Sequence, residues 1–165
     1  MGLFGKEKSP TQWYDEGETL FKLGKYDKAK HCYEKAIKID PNNAKAWSSK
    51  SATLSQLRKS DEAIVCSAEA VRLDPKLADA WAHWGEALIH LGRYDDSIRF
   101  FDEAIKLEPN NGTYWNNKGI AIGRCKKYEE AISFFDEAIK LEPKNILFQN
   151  NKRDVLKCIK PQIVR

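Results

Sequence analysis

The chain is poor in sulfur, and its cysteines are badly placed for chemistry. Four cysteines and one methionine occur in 165 residues. Cys32, Cys66, Cys125 and Cys158 form no Cys-x-x-Cys pair, which excludes ribbon-type zinc sites and dithiol redox motifs. Such usage points to reduced thiols and a cytoplasmic setting rather than to a disulfide framework. Long apolar runs are missing too: nothing approaches the roughly 18 residues that a membrane span needs. Met1 to Pro10 holds Lys6, Glu7 and Lys8 without an apolar stretch, so no secretory leader is expected. Met1-Gly2 does not make an acylation signal, because Lys6 stands where that motif needs serine or threonine. Residues 1–10 are expected to form a tail, with Leu3 and Phe4 lying on the first helix. Finally, there is no glycine-rich phosphate loop, no serine or cysteine nucleophile motif and no acid pair at catalytic spacing. No enzyme activity and no cofactor are predicted.

What the chain does have is a period. Trp13, Trp47, Trp81 and Trp115 stand 34 residues apart, and so do Pro41, Pro75, Pro109 and Pro143. Two columns sharing one spacing, with no insertion, define a repeat architecture before local propensity is considered. Each unit has two helical halves. In the third, Trp81, Trp84, Leu88 and Leu91 follow one helix face, and Gly92 suits a left-handed helix end. Ile98, Phe101, Ala104, Ile105 and Leu107 then repeat helical spacing until Pro109 stops it. Helix pairs are predicted at about 11–24 with 27–39, 44–57 with 61–73, 78–91 with 95–107, and 112–125 with 129–141. Short connections make the members of each pair antiparallel neighbours. Small residues at Gly85, Ala104 and in the column Ala29, Ala63, Ser97, Ala131 allow close approach.

The motif resembles the tetratricopeptide repeat family. The first unit shows it in Trp13, Gly17, Leu20, Gly24, Tyr26, Ala29, Tyr33, Ala36 and Pro41. The fourth shows it in Trp115, Gly119, Ile122, Tyr128, Ala131, Phe135, Ala138 and Pro143. The wording around Trp115-Asn116-Asn117-Lys118-Gly119 is similar to arrays of archaea and bacteria. The resemblance implies an all-α, right-handed superhelix of four helix pairs (about 10–43, 44–77, 78–111 and 112–145), closed by a capping helix within residues 146–165. The second unit departs most, with Ser51, Arg58, Ser60 and Ser67 at motif positions, and Lys126 replaces a glycine in the fourth. A non-glycine residue in a left-handed turn costs roughly 1 kcal/mol, so unit two is expected to be the least stable. Ser60 is expected to offset part of this as an N-cap before Asp61 and Glu62. In the cap, Phe148, Val155, Leu156 and Ile159 are expected to face inward.

The same resemblance implies that the first helix of each pair lines a concave groove. Lys45, Ser49, His83, Glu86, His90, Asn116, Asn117, Arg124, Asn150 and Asn151 are the candidate peptide contacts. Some family members grip a chaperone's terminal carboxylate with lysines, asparagines and an arginine. The corresponding positions of units one to three hold Tyr14, Glu18, Ser49, Asp79 and His83, those of units two to four hold Ser48, Ala52, His83, Thr113 and Asn117, and neither set makes that clamp. Asn116-Asn117 and Asn150-Asn151 stand one repeat apart. They read either as a ladder of amides that could hold peptide backbone, or as ordinary surface polarity. His83, Glu86 and His90 are metal-capable, but the two histidines sit two helical turns, roughly 10 Å, apart, so no metal site is predicted. The last 20 residues hold Lys152, Arg153, Lys157, Lys160 and Arg165 against Asp154, which accounts for the whole chain's net charge of +4. A protein or peptide segment is therefore the predicted partner of a non-catalytic scaffold, acting as a monomer or weak homo-oligomer. The alternative is nucleic acid or an anionic surface meeting the basic C-terminal helix.

Overall fold

In the computed structural model, residues 7–159 are described, and among them there are nine α-helices and no strand. They are α1 Pro10–Lys22, α2 Tyr26–Ile39, α3 Ala44–Gln56, α4 Ser60–Leu73, α5 Ala78–His90, α6 Tyr94–Leu107, α7 Gly112–Arg124, α8 Tyr128–Leu141 and α9 Ile146–Ile159. The expected tail interactions of Leu3 and Phe4 lie outside the described residues. Each helix packs on its neighbours in sequence. The odd-numbered helices also touch one another in succession, and no even-numbered pair does so among the described residues. Such a stack must curve, with the odd helices on the inner face.

The contact inside each pair explains the glycine column. A Cβ added to Gly17 would lie 2.6 Å from the Tyr33 ring, one on Gly85 2.7 Å from Phe101, and one on Gly119 2.9 Å from Phe135. These three aromatic side chains are all but fully buried. Unit two solves the same contact with polar atoms. Ser51 bonds Ser67 at 2.6 Å and donates to the Ala63 carbonyl at 2.8 Å. The exchange leaves unit two with a hydroxyl-rich interior, in which the Ser55 hydroxyl has no hydrogen-bond partner among the described residues.

The turn between paired helices needs a left-handed residue. Gly24 and Gly92 supply it at φ 69° and 74°, and Arg58 and Lys126 are forced into it at 61° and 63°. Ser60 does not cap α4 as expected. It is the first helical residue and buried, while Lys59 holds the cap position without a side-chain capping bond. A cap not anticipated occurs at α1, where Ser9 and Gln12 form a reciprocal capping box ahead of Pro10.

Successive units are joined by a staple. The indole nitrogens of Trp47, Trp81 and Trp115 donate to the carbonyls of Pro41, Pro75 and Pro109 at 2.8–3.0 Å. In α9, Gln149 stands in the tryptophan column and makes the same bond to Pro143 at 2.8 Å. Trp84 is half-buried and stacks on Phe100 with centroids 4.5 Å apart. Leu91, expected on the apolar face of α5, is its exposed C-cap. The cap is also less sealed than expected. Phe148 is buried and Val155 packs on the core, but Leu156 is 37% exposed. Leu156 occupies the column of Leu54, Leu88 and Ile122, which are covered by the second helix of their own pair. After α9 no second helix follows among the described residues.

All four cysteines are free. Burial raises the Cys32 thiol and pushes Cys66 up to about 11, which makes both poor nucleophiles.

Two substitutions test this account of the turns and the pairs. Arg58→Gly is expected to raise stability in urea melts by a few tenths to about 1 kcal/mol, because the left-handed strain exceeds glycine's extra entropy. Gly85→Ala is expected to lower it by about 1–3 kcal/mol, since Phe101 must be displaced. An unchanged Gly85→Ala protein would show that the close approach is not required.

Candidate functional site

The inner face is built from polar side chains that bridge successive odd helices. Tyr14 on α1 meets Ser49 on α3 at 3.5 Å, and Ser48 meets Nδ1 of His83 on α5 at 2.9 Å. Tyr114 on α7 donates to Asp79 at 2.6 Å, and Asn151 on α9 donates to Asn116 at 2.8 Å. Each of these pairs lies 35 residues apart, one repeat plus one. Where Ala82 stands in that register, Asn117 turns the other way and donates to Glu86 at 2.7 Å. Asn116 donates in turn to Asn117 at 3.2 Å. Glu86, Asn117, Asn116 and Asn151 thus form one hydrogen-bonded chain across α5, α7 and α9.

The candidate residues divide into three groups. Glu86, Asn117, Asn116 and Asn151 are brought together, with Asn116 buried at 2% exposure and the others half-buried. Ser49 and His83 join inner-face bonds further along the stack. Lys45, His90 and Arg124 are exposed at helix ends, and Asn150 accepts a bond from Arg153 at 2.5 Å. Asn116 therefore positions its neighbours instead of meeting solvent. Among the described residues no group of three or more histidine, cysteine or acidic side chains could hold a metal ion.

Tyr14, Ser48 and Asp79, which the resemblance placed on the groove face outside the candidate contacts, belong to the bridging system, and so does Tyr114, which was not expected there. The signal that could have found them is hydrogen-bonding residues recurring at repeat length plus one. The five positions of units one to three corresponding to the family's carboxylate clamp also enter internal bonds: Glu18 accepts from the Tyr33 hydroxyl at 2.7 Å, and the other four form the bridges above.

Three phenols, Tyr14 and Tyr114 on this face and Tyr33 of α2 beneath it, are harder to ionise than an ordinary tyrosine. Burial is the main cause for all three, joined for Tyr33 by its bond to Glu18 and for Tyr114 by its bond to Asp79. For Tyr14, the Ser49 hydroxyl works against the effect of burial.

A curved stack of helix pairs with an ordered polar inner surface defines a repeat scaffold, a class in which adjacent units build an extended surface. Tetratricopeptide repeat models match residues 10–43, 78–111 and 112–145, and another model of that repeat matches residues 32–65. The chain belongs to the tetratricopeptide repeat family. The match over 32–65 starts inside α2, out of step with the other three, in the region where unit two lacks the motif residues.

A similar solved structure is TTC0263, a thermophilic protein of this type from Thermus thermophilus. It shares 17% identity at a TM-score of 0.85, over 92% of this chain and 83% of that one. YrrB, described as having an unusual peptide-binding site, shares 23% identity at 0.72, over 87% and 74%. The first such domain of Spaghetti (RPAP3), bound to the HSP90 peptide SRMEEVD, shares 25% at 0.67, over 76% and 99%. A search of curated proteins finds no match.

The raised phenols give the inner face a pH signature. The folded state holds these protons more tightly than the unfolded chain, which releases them near pH ~10. Stability is therefore expected to fall as pH rises through that value. Ultraviolet titration should show Tyr14, Tyr33 and Tyr114 remaining protonated above the ordinary tyrosine range until the protein unfolds. If these three phenols ionise near pH ~10 in the folded protein, the burial assigned to them is wrong.

Proposed function

We propose that the protein is a non-catalytic scaffold whose inner face holds an extended segment of a partner protein. The observation that carries this reading is the chain Glu86–Asn117–Asn116–Asn151. Its internal bonds use one donor and one acceptor of Asn117 and leave further capacity on the same amide. Asn151 donates to Asn116, and its carbonyl oxygen takes no partner among the described residues. Fixed, half-exposed amides of this kind can pair with a peptide backbone at little ordering cost. Peptide recognition by similar folds, YrrB and the RPAP3 domain, supports the same reading.

The basic C-terminal helix supports the alternative less well. Lys152 pairs with Asp136 at 2.6 Å, Lys157 with Asp154 at 2.7 Å, and Arg153 with the Asn150 amide. Carboxylates thus neutralise Lys152 and Lys157, and Arg153 is the one cation of α9 without an acid partner among the described residues. No described helix is long and apolar enough to cross a membrane.

The test begins with partners captured from the native host by the full chain and mapped to a binding segment. That segment, as a labelled peptide, is expected to bind the Asn117→Ala, Asn151→Ala variant about 5- to 30-fold more weakly, the loss of one or two neutral hydrogen bonds. Binding should change little with salt. Equal binding by a folded variant would remove the amide reading. A steep fall with salt would favour the basic helix.

A further inference from the structure

The internal bonding of the inner face reaches α9 through Asn151 alone. Ile120 occupies in α7 the place of Glu18 in α1 and Glu86 in α5. Beside it a cavity of about 430 Å³ opens between α7, α8 and α9. Its floor is apolar, formed by Ile120, Phe135 and Val155, with Gly123 leaving room. Arg124 and Lys126 stand at its rim. The rim's acid, Asp154, is already bonded to Lys157 at 2.7 Å.

Arg124 and Lys126 differ from one column of basic residues on the stack. Lys50, Lys118 and Lys152 each bridge to an acid on the preceding helix, Glu34, Asp102 and Asp136. Among the described residues no carboxylate pairs with Arg124 or Lys126. Two unneutralised cations next to an apolar floor are complementary to an apolar side chain with a carboxylate beside it. Arginine in particular favours a carboxylate through paired N–H donors.

We infer that this cavity is a specificity pocket for an acidic peptide segment. A leucine-sized side chain fills the floor, and the Asp or Glu that follows it meets Arg124 and Lys126. The inference rests on the reading that the inner face holds a protein segment, and it adds which segment. The asparagine chain would hold the backbone, while the pocket would select the side chains. Asn151 belongs to both, since it lines the cavity and ends the chain of amides.

The test uses the full chain and capped, C-terminally amidated peptides with a common Gly-Ser frame around Leu-Glu-Glu, Ala-Glu-Glu, Leu-Gln-Gln or Leu-Lys-Lys. Amidation removes the chain terminus as a source of the carboxylate. Fluorescence anisotropy should show Leu-Glu-Glu binding best, with Ala-Glu-Glu and Leu-Gln-Gln each weaker by about tenfold. The variant Arg124→Glu, Lys126→Glu should reverse the order of Leu-Glu-Glu and Leu-Lys-Lys. Lys126→Gly paired with Arg124→Ala keeps the left-handed turn relaxed and should simply lose the acidic preference. Bound Leu-Glu-Glu should also slow modification of Cys158, an exposed thiol that lines the cavity.

No binding at millimolar peptide, or equal affinity for Leu-Glu-Glu and Leu-Gln-Gln, would overturn the inference. The two readings also fail separately. If Leu-Glu-Glu affinity ignores the charge reversal but falls in the Asn117→Ala, Asn151→Ala variant, the pocket is wrong and the amide-held backbone stands. If it follows the charge reversal and ignores the asparagines, the pocket stands and the amide reading fails.

Discussion

The close approach of paired helices at the glycine column is the contact on which the stack depends. An aromatic ring from the second helix lies directly over the backbone of the first, with no room for a Cβ between them. This brings the two helices close enough to bury one continuous seam, since a short amphipathic helix gains most of its stability from packing. The geometry of the next unit is then set by the staple from each tryptophan, or from Gln149, to the preceding proline carbonyl. The two sequence columns share a period because they are the two ends of one contact.

Unit two shows what that contact requires. Replacing a glycine and an aromatic by Ser51 and Ser67 keeps the approach but changes its basis from ring burial to a short hydrogen bond. The helices still pair, with a more polar interior. The turn after α3 likewise persists with Arg58 in a left-handed conformation that glycine would hold without strain. The architecture therefore tolerates loss of motif residues where neighbouring units hold both ends of the departing one.

The inner surface follows from the same curvature. Because only the odd helices meet one another, side chains one repeat plus one apart come within bonding distance. Polar residues placed there stitch the face together. Over most of the stack these bonds consume the groups that a ligand would use. Asn117 and Asn151 keep spare capacity, and near α9 the stitching gives way to an apolar floor with Arg124 and Lys126 at its rim. The binding chemistry proposed for this protein therefore lies toward its C-terminal end.

The repeat, the helix pairs and the strained turns at Arg58 and Lys126 were legible in the sequence. They arise from local rules: helical spacing, proline stops, and the steric cost of a left-handed residue. The candidate groove residues were legible only as a helix face. Which of them face one another depends on the offset between neighbouring units, and a repeat of 34 residues does not state that bonds will form at 35. Asn116 and Asn117 are adjacent and chemically identical, yet one is buried as a positioning group and the other is half-exposed. Leu156 belongs to a column that is buried at Leu54, Leu88 and Ile122 and remains partly exposed on α9. Gln149 replaces a tryptophan in its column but keeps that residue's hydrogen bond. In each case the sequence determined the element and its periodicity, whereas burial and partner were decided by the neighbouring helix, because those depend on contacts between residues far apart in the chain.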